Sequence, residues 1–111
     1  MRPFQRHLIA CAFALAASLR LSALSVEEAT IADLHAAYLS GQSSSREVTA
    51  AYLARIAAYD KKGPYLNTVI NLNPKALEEA AALDAKLAAT GKPVGLLHGI
   101  PVVIKGTVSK L

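Results

Sequence analysis

Along the chain, apolar residues first fall at helical spacing at Ile31, Leu34 and Tyr38. Thr30 and Asp33 flank the start of that stripe as a capping box, and Gly41 supplies a left-handed stop, which predicts a helix of about three turns. Ser44-Ser45-Arg46-Glu47 is a second capping box, after which Val48, Tyr52, Ile56 and Tyr59 follow one face down to the breaker Gly63-Pro64. The two helices are expected to form an αα-hairpin whose stripes need a third element to bury them.

The period then changes to two. Leu66, Thr68, Ile70 and Leu72 point one way and Asn67, Val69 and Asn71 the other, as in a half-buried strand. Asn73 is placed to cap a further helix with Pro74 at its first position, where a missing amide hydrogen costs nothing. Ala76, Ala80, Leu83 and Leu87 make that helix's inner face, and Gly91 and Pro93 end it. Turn residues follow at Gly95 and His98-Gly99. Ile100 to Lys105 is then a short apolar run rich in β-branched residues, the composition of a fully buried strand. The predicted order is helix, helix, strand, helix, strand, with no repeats and no low-complexity segment.

The first 25 residues have the form of a secretory signal. Arg2, Arg6 and His7 precede an apolar run from Leu8 to Leu19, and small residues follow, with cleavage expected after Ser18 or Ser25. That run is shorter than the roughly twenty residues needed to span a bilayer as a helix, so no stable membrane anchor is expected. Composition is 53% hydrophobic and 18% charged, too apolar for a disordered chain. The formal charge of +4 suggests a nucleic-acid surface until the cations are located. Arg2, Arg6 and Arg20 belong to the N-terminal segment, and the remaining basic residues nearly balance the acidic ones, so no nucleic-acid partner is expected. Cys11 also lies in that segment. Its removal would exclude disulfides, thiolate metal sites and a cysteine nucleophile together.

The residue that carries candidate chemistry is Lys105. A lysine ending the run Ile100-Pro101-Val102-Val103-Ile104 would stand at the buried end of a strand. Burial disfavours the ammonium form, and desolvation brings a reference pKa of about 10.4 down towards the range of a base near neutral pH. The plainer reading is that Lys105 leaves the strand for solvent and guards the edge against pairing.

The stretch Gly95-Leu96-Leu97-His98-Gly99-Ile100-Pro101-Val102-Val103-Ile104-Lys105 resembles the lysine-bearing strand of the amidase signature family. Thr30 to Leu34, Ser44 to Val48, Tyr52 to Ile56, Leu66 to Ile70 and Ala76 to Asp84 are similar, in the same order, to that family's opening helices and first strand. The resemblance covers about Val26 to Lys105. It implies an α/β fold with a mixed central sheet, of which residues 26–111 would supply the N-terminal helices and first strands. It also implies a Ser–cis-Ser–Lys triad in which Lys105 is the catalytic lysine. There a neutral lysine draws a proton through a bridging serine from a nucleophilic serine, and an acyl-enzyme forms and is hydrolysed. In the family both serines lie well downstream of the lysine, and neither can be assigned here. The substrate implied for the complete protein is a small-molecule amide; from the residues themselves no metal or other cofactor is expected, since the sequence holds no glycine-rich phosphate loop and no ligand cluster.

Two positions depart from the family's pattern. Leu96 stands where proline is common. After Lys105 the family continues with Asp or Glu, whereas this chain reads Gly106-Thr107-Val108-Ser109-Lys110-Leu111. The expectation is a fragment of an exported amidase, truncated after the lysine strand and inactive without its serines. A cytosolic tRNA amidotransferase subunit is the rival within the family, and a small non-catalytic helical binding module the rival outside it. Ser43, Ser44 and Ser45 are expected as caps and turn formers. His35 and His98 are too isolated for a metal site, and His98 is expected to order its turn by hydrogen bonds. Tyr38, Tyr52 and Tyr59 are expected in the core with exposed hydroxyls.

Overall fold

The computed structural model describes residues 24–106, so the signal-like segment up to residue 23 and the last five residues lie outside the described region. Three helices follow one another: α1 (Ile31–Ser40), α2 (Ser45–Tyr59) and α3 (Ala76–Thr90). None is long and apolar enough to cross a membrane among the described residues.

Both capping boxes form. The Asp33 amide donates to Thr30 Oγ1 at 3.1 Å while the Thr30 amide donates to Asp33 Oδ2 at 2.9 Å. At α2 the Glu47 amide donates to Ser44 Oγ at 3.2 Å and the Ser44 amide to Glu47 Oε2 at 2.9 Å. Each box satisfies two backbone donors that a helix start otherwise leaves free. Gly41 closes α1 in the left-handed conformation, φ 73°, and its neighbour Gln42 donates back to the Ala37 carbonyl at 3.0 Å.

The core is small. Leu34, Tyr38 and Val48 are buried together, with Leu24, Val26, Ala29, Tyr52, Leu87 and Ile100 packed around them. Each such side chain contributes roughly 1.5–3 kcal/mol when fully withdrawn from water. The stripe read from α1 is therefore buried at Leu34 and Tyr38, whereas Ile31 at its start is 45% exposed. The main helix-to-helix packing is that of α2 on α3, rather than the α1–α2 hairpin expected from the sequence.

Neither predicted strand forms, and the described residues hold three helices and no strand, so the mixed sheet of the expected α/β fold is not seen. The reason at 66–72 lies in where its amides go. Leu66 and Asn67 donate to the carbonyls of Tyr59 and Asp60, at 3.1 and 3.0 Å, and so finish α2 instead of a ladder. The amides of Thr68 and Val69 both donate to Asp60 Oδ1, at 2.6 and 3.2 Å, and the Thr68 hydroxyl joins them at 2.9 Å. Tyr65 and Asn67 also take left-handed φ values of 52° and 53°, which no strand accommodates. Burial pushes the Asp60 carboxyl up, but the bonds from Thr68 and Val69 and the charge of Lys61 outweigh it and hold the group below its ordinary value.

At 100–105 the cause is different. The Ile100 amide is taken by the Leu97 carbonyl at 3.1 Å, Pro101 has no amide hydrogen, and no partner strand is present among the described residues. Val102, Val103 and Ile104 are exposed. A smaller correction concerns α3, which begins at Ala76 rather than Pro74. Asn73 caps the preceding turn, its Oδ1 accepting from the Lys75 amide at 2.9 Å.

Candidate functional site: the turn that carries the lysine segment

The segment from Gly95 to Lys105 lies against the helices at one end and leaves them at the other. It starts with a tight turn in which the His98 amide donates to the Gly95 carbonyl at 3.1 Å. His98 is buried, and its ring Nε2 donates to the Leu83 carbonyl of α3 at 3.0 Å. Its own carbonyl accepts from His35 Nε2 at 2.9 Å. The expectation that His98 orders its turn is met, and a partner on α1 is added.

The next carbonyl, that of Gly99, is held by two hydroxyls. Tyr38 donates at 2.8 Å from α1, and Ser45 donates at 3.2 Å from the first position of α2. His35 and Tyr38 are three residues apart on α1, the spacing that puts both on one face. They therefore meet two consecutive carbonyls of the turn. Ser45 is fixed in turn by Asp84 of α3, whose two carboxylate oxygens accept from the amides of Ser45 and Arg46 at 2.7 and 3.0 Å. A carboxylate at that position also complements the positive end of the α2 dipole.

Gly99 is required on two separate grounds. Its φ of 71° is left-handed, and a Cβ there would come within 2.9 Å of Ser45 Oγ and 3.0 Å of Tyr38 Cε2. The hydroxyl of Tyr38 is thus buried against backbone, which corrects the expectation of an exposed one. Burial first, and then the negative charge of Asp84 and of Tyr52, push the Tyr38 phenol from 10.0 up to about 12. It remains a donor at all ordinary pH values. Tyr52 reaches the Val26 carbonyl at 3.0 Å, and Tyr59 is 46% exposed with Arg55 over its ring.

Of the serine cluster, Ser44 is the α2 cap and Ser43 donates to Glu47 Oε2 at 3.2 Å, as expected of turn formers. Ser45 departs from that pattern, since its hydroxyl crosses to the lysine-bearing turn. No spacing or composition signal marked Ser45 or Asp84; the i, i+3 pairing of His35 with Tyr38 was the one visible hint. Lys105 is exposed, so the desolvation argued from the sequence is not realised among the described residues. A Cβ built at Gly106 would stand 3.3 Å from Ile70 Cδ1, which sets the end of the lysine segment beside the 66–72 segment.

The family model described as Amidase matches residues 47–109, more than half of the chain and the whole of the segment just described. This chain belongs to the amidase family. Among curated relatives, a glutamyl-tRNA(Gln) amidotransferase subunit of Alkaliphilus metalliredigens is 42% identical over 83 residues, 74% of this chain and 16% of that protein. A probable amidase of Arabidopsis thaliana is 37% identical over 97 residues, 85% of this chain and 18% of that one. Among solved structures, the native peptide amidase of Stenotrophomonas maltophilia superposes with a TM-score of 0.61 at 50% identity. That match covers 67% of this chain and 15% of the peptide amidase. This amidase-family chain therefore spans about one sixth of the length of the curated relatives it matches.

Proposed function

We propose that these residues form the lysine-bearing part of an exported amidase that cleaves the C–N bond of a small carboxamide through an acyl-enzyme, with Lys105 as the base of a Ser–cis-Ser–Lys triad. The carrying observation is that the Amidase match runs through Gly95–Lys105, where the family-like motif and its anchored turn coincide. A mixed sheet belongs to this reading as well. Past the amides that Asp60 takes, Ile70 and Leu72 present apolar side chains to solvent, as Val102 to Ile104 do and as unpaired strands of a larger sheet would, and Ile70 lies beside Gly106.

In that setting Lys105 would be desolvated and act as a neutral base. A serine hydroxyl would lose its proton to it through the bridging serine as its oxygen attacks the amide carbonyl. The departing amine would then take that proton back. The 111 residues alone hold no assignable serine pair, so the purified chain is expected to turn over no simple amide. Turnover by that chain, lost on Lys105→Ala, would overturn this expectation. For export, residues 1–30 fused to a reporter should direct secretion. A reporter retained in the cytosol would favour a role like that of the tRNA amidotransferase relatives.

The non-catalytic binding module stays as a second reading because one observation favours it: Ile70, Leu96 and Val103 are 83%, 89% and 91% exposed. A monodisperse, cooperatively unfolding monomer would support the module. A molten or insoluble chain would support the amidase reading, in which these residues pack within a larger fold.

A further inference from the structure

We propose that Tyr38 and Ser45 are positioning residues for the lysine segment, acting together on the Gly99 carbonyl to fix where and in what direction the chain departs towards Lys105. The proposal rests on the reading of Lys105 as the base only for its consequence; the geometry stands separately.

Among the described residues, the turn at 98–99 is the last point at which the segment hydrogen-bonds to side chains of the helices. Beyond it Pro101 is half-buried and Val102 to Lys105 are exposed. The direction of the segment is therefore set at its root. Two hydroxyls from two different helices converge on one carbonyl there, at 2.8 and 3.2 Å. The two donors bear on that oxygen from separate elements, and the amide of the same peptide unit, that of Ile100, is bonded to the Leu97 carbonyl at 3.1 Å, so the plane is held at both edges. Each donor is itself held. Tyr38 is 6% exposed in the core, and Ser45 is 2% exposed with its amide on Asp84. Gly99 lacks the Cβ that would push the pair apart, so the close approach and the left-handed φ serve the same contact. The preceding carbonyl accepts a single bond from His35, a further tie on the plane before Gly99. A general base that is misplaced by about 1 Å can lose on the order of a hundredfold in rate, so a root fixed in two directions matters at the far end.

The test uses the full 111-residue chain, labelled with 15N and partially aligned, and reads amide dipolar couplings. In the wild type the couplings of Gly99, Ile100 and Val102 should fit the same alignment as α1 and α2. Tyr38→Phe keeps the ring in the core and removes one donor; Ser45→Ala removes the other. Each should shrink the couplings at these three amides, most at Val102, and the double variant should shrink them further, with α1 and α2 unchanged. A purely structural role would disturb the helices equally. The proposal is overturned if the three couplings are already averaged in the wild type, or if they survive undiminished in the double variant. Should Tyr38→Phe unfold α1, the outcome is read from Ser45→Ala, where unchanged couplings overturn it. A failed role for Lys105 would appear elsewhere, as activity of a full-length relative that survives loss of its matching lysine while these couplings hold.

Discussion

Gly95–Ile100 and Val102–Lys105 are separated by Pro101 alone, similar in apolar content, and opposite in how they are held. The first is tied to all three helices by hydrogen bonds from His35, Tyr38, Ser45 and His98. The second has three side chains 65–91% exposed at Val102, Val103 and Ile104. Hydrophobicity does not separate them. What does is whether each backbone polar group finds a partner among the described residues, and of the two only the turn has partners supplied by side chains, buried at Tyr38 and Ser45 and half-buried at His35.

The contrast can be broken most strongly at Gly99. Gly99→Ala sets a Cβ against Ser45 and Tyr38 at a positive φ, and should cost about 2–4 kcal/mol in urea unfolding. Gly91→Ala shares the φ but meets nothing within 4 Å, so it should cost only about 1–2 kcal/mol. Equal losses at the two glycines would remove the steric part of the account. Asp84→Ala comes next, at about 1–2 kcal/mol, because it frees the amides of Ser45 and Arg46 at the start of α2. Its signature is faster amide exchange at those two positions.

A smaller and pH-dependent effect belongs to Tyr38. Its folded pKa is raised from 10.0 to about 12, so its contribution is fully present below pH 10 and is lost as pH rises from 10 towards 12. Tyr38→Phe should flatten that part of the stability profile. An unchanged decline between pH 10 and 12 would assign it to other groups. At the bottom of the scale, Val103→Ser should alter stability by no more than about 0.5 kcal/mol, since Val103 is 91% exposed. A larger loss would mean that the segment is covered in solution.

These differences also mark what could be read from the sequence. Both capping boxes and the Gly41 and Gly91 stops were legible because each is a short-range competition for free backbone groups. The lysine motif and its family were legible as well, in a stretch that the Amidase match then covered. The strands were not, because strand formation is decided by a partner that periodicity does not contain. Asp60 shows the point: one carboxylate at the end of α2 draws the amides of Thr68 and Val69 away from any ladder, and nothing in the alternation of 66–72 announces it. Ser45 was hidden for a related reason. A serine next to a helix cap reads as a cap, and its bond to Gly99 spans 54 positions of sequence.

The most direct test of the contrast is amide hydrogen exchange across 95–105 in the full chain. The account predicts slow exchange at His98 and Ile100, whose amides are bonded within the anchored turn, and fast exchange at Val102, Val103 and Ile104. Uniformly fast exchange would mean that the helices do not hold the turn, and uniformly slow exchange that the lysine segment is already paired. Either result would contradict the separation of an anchored root from an open, lysine-bearing end.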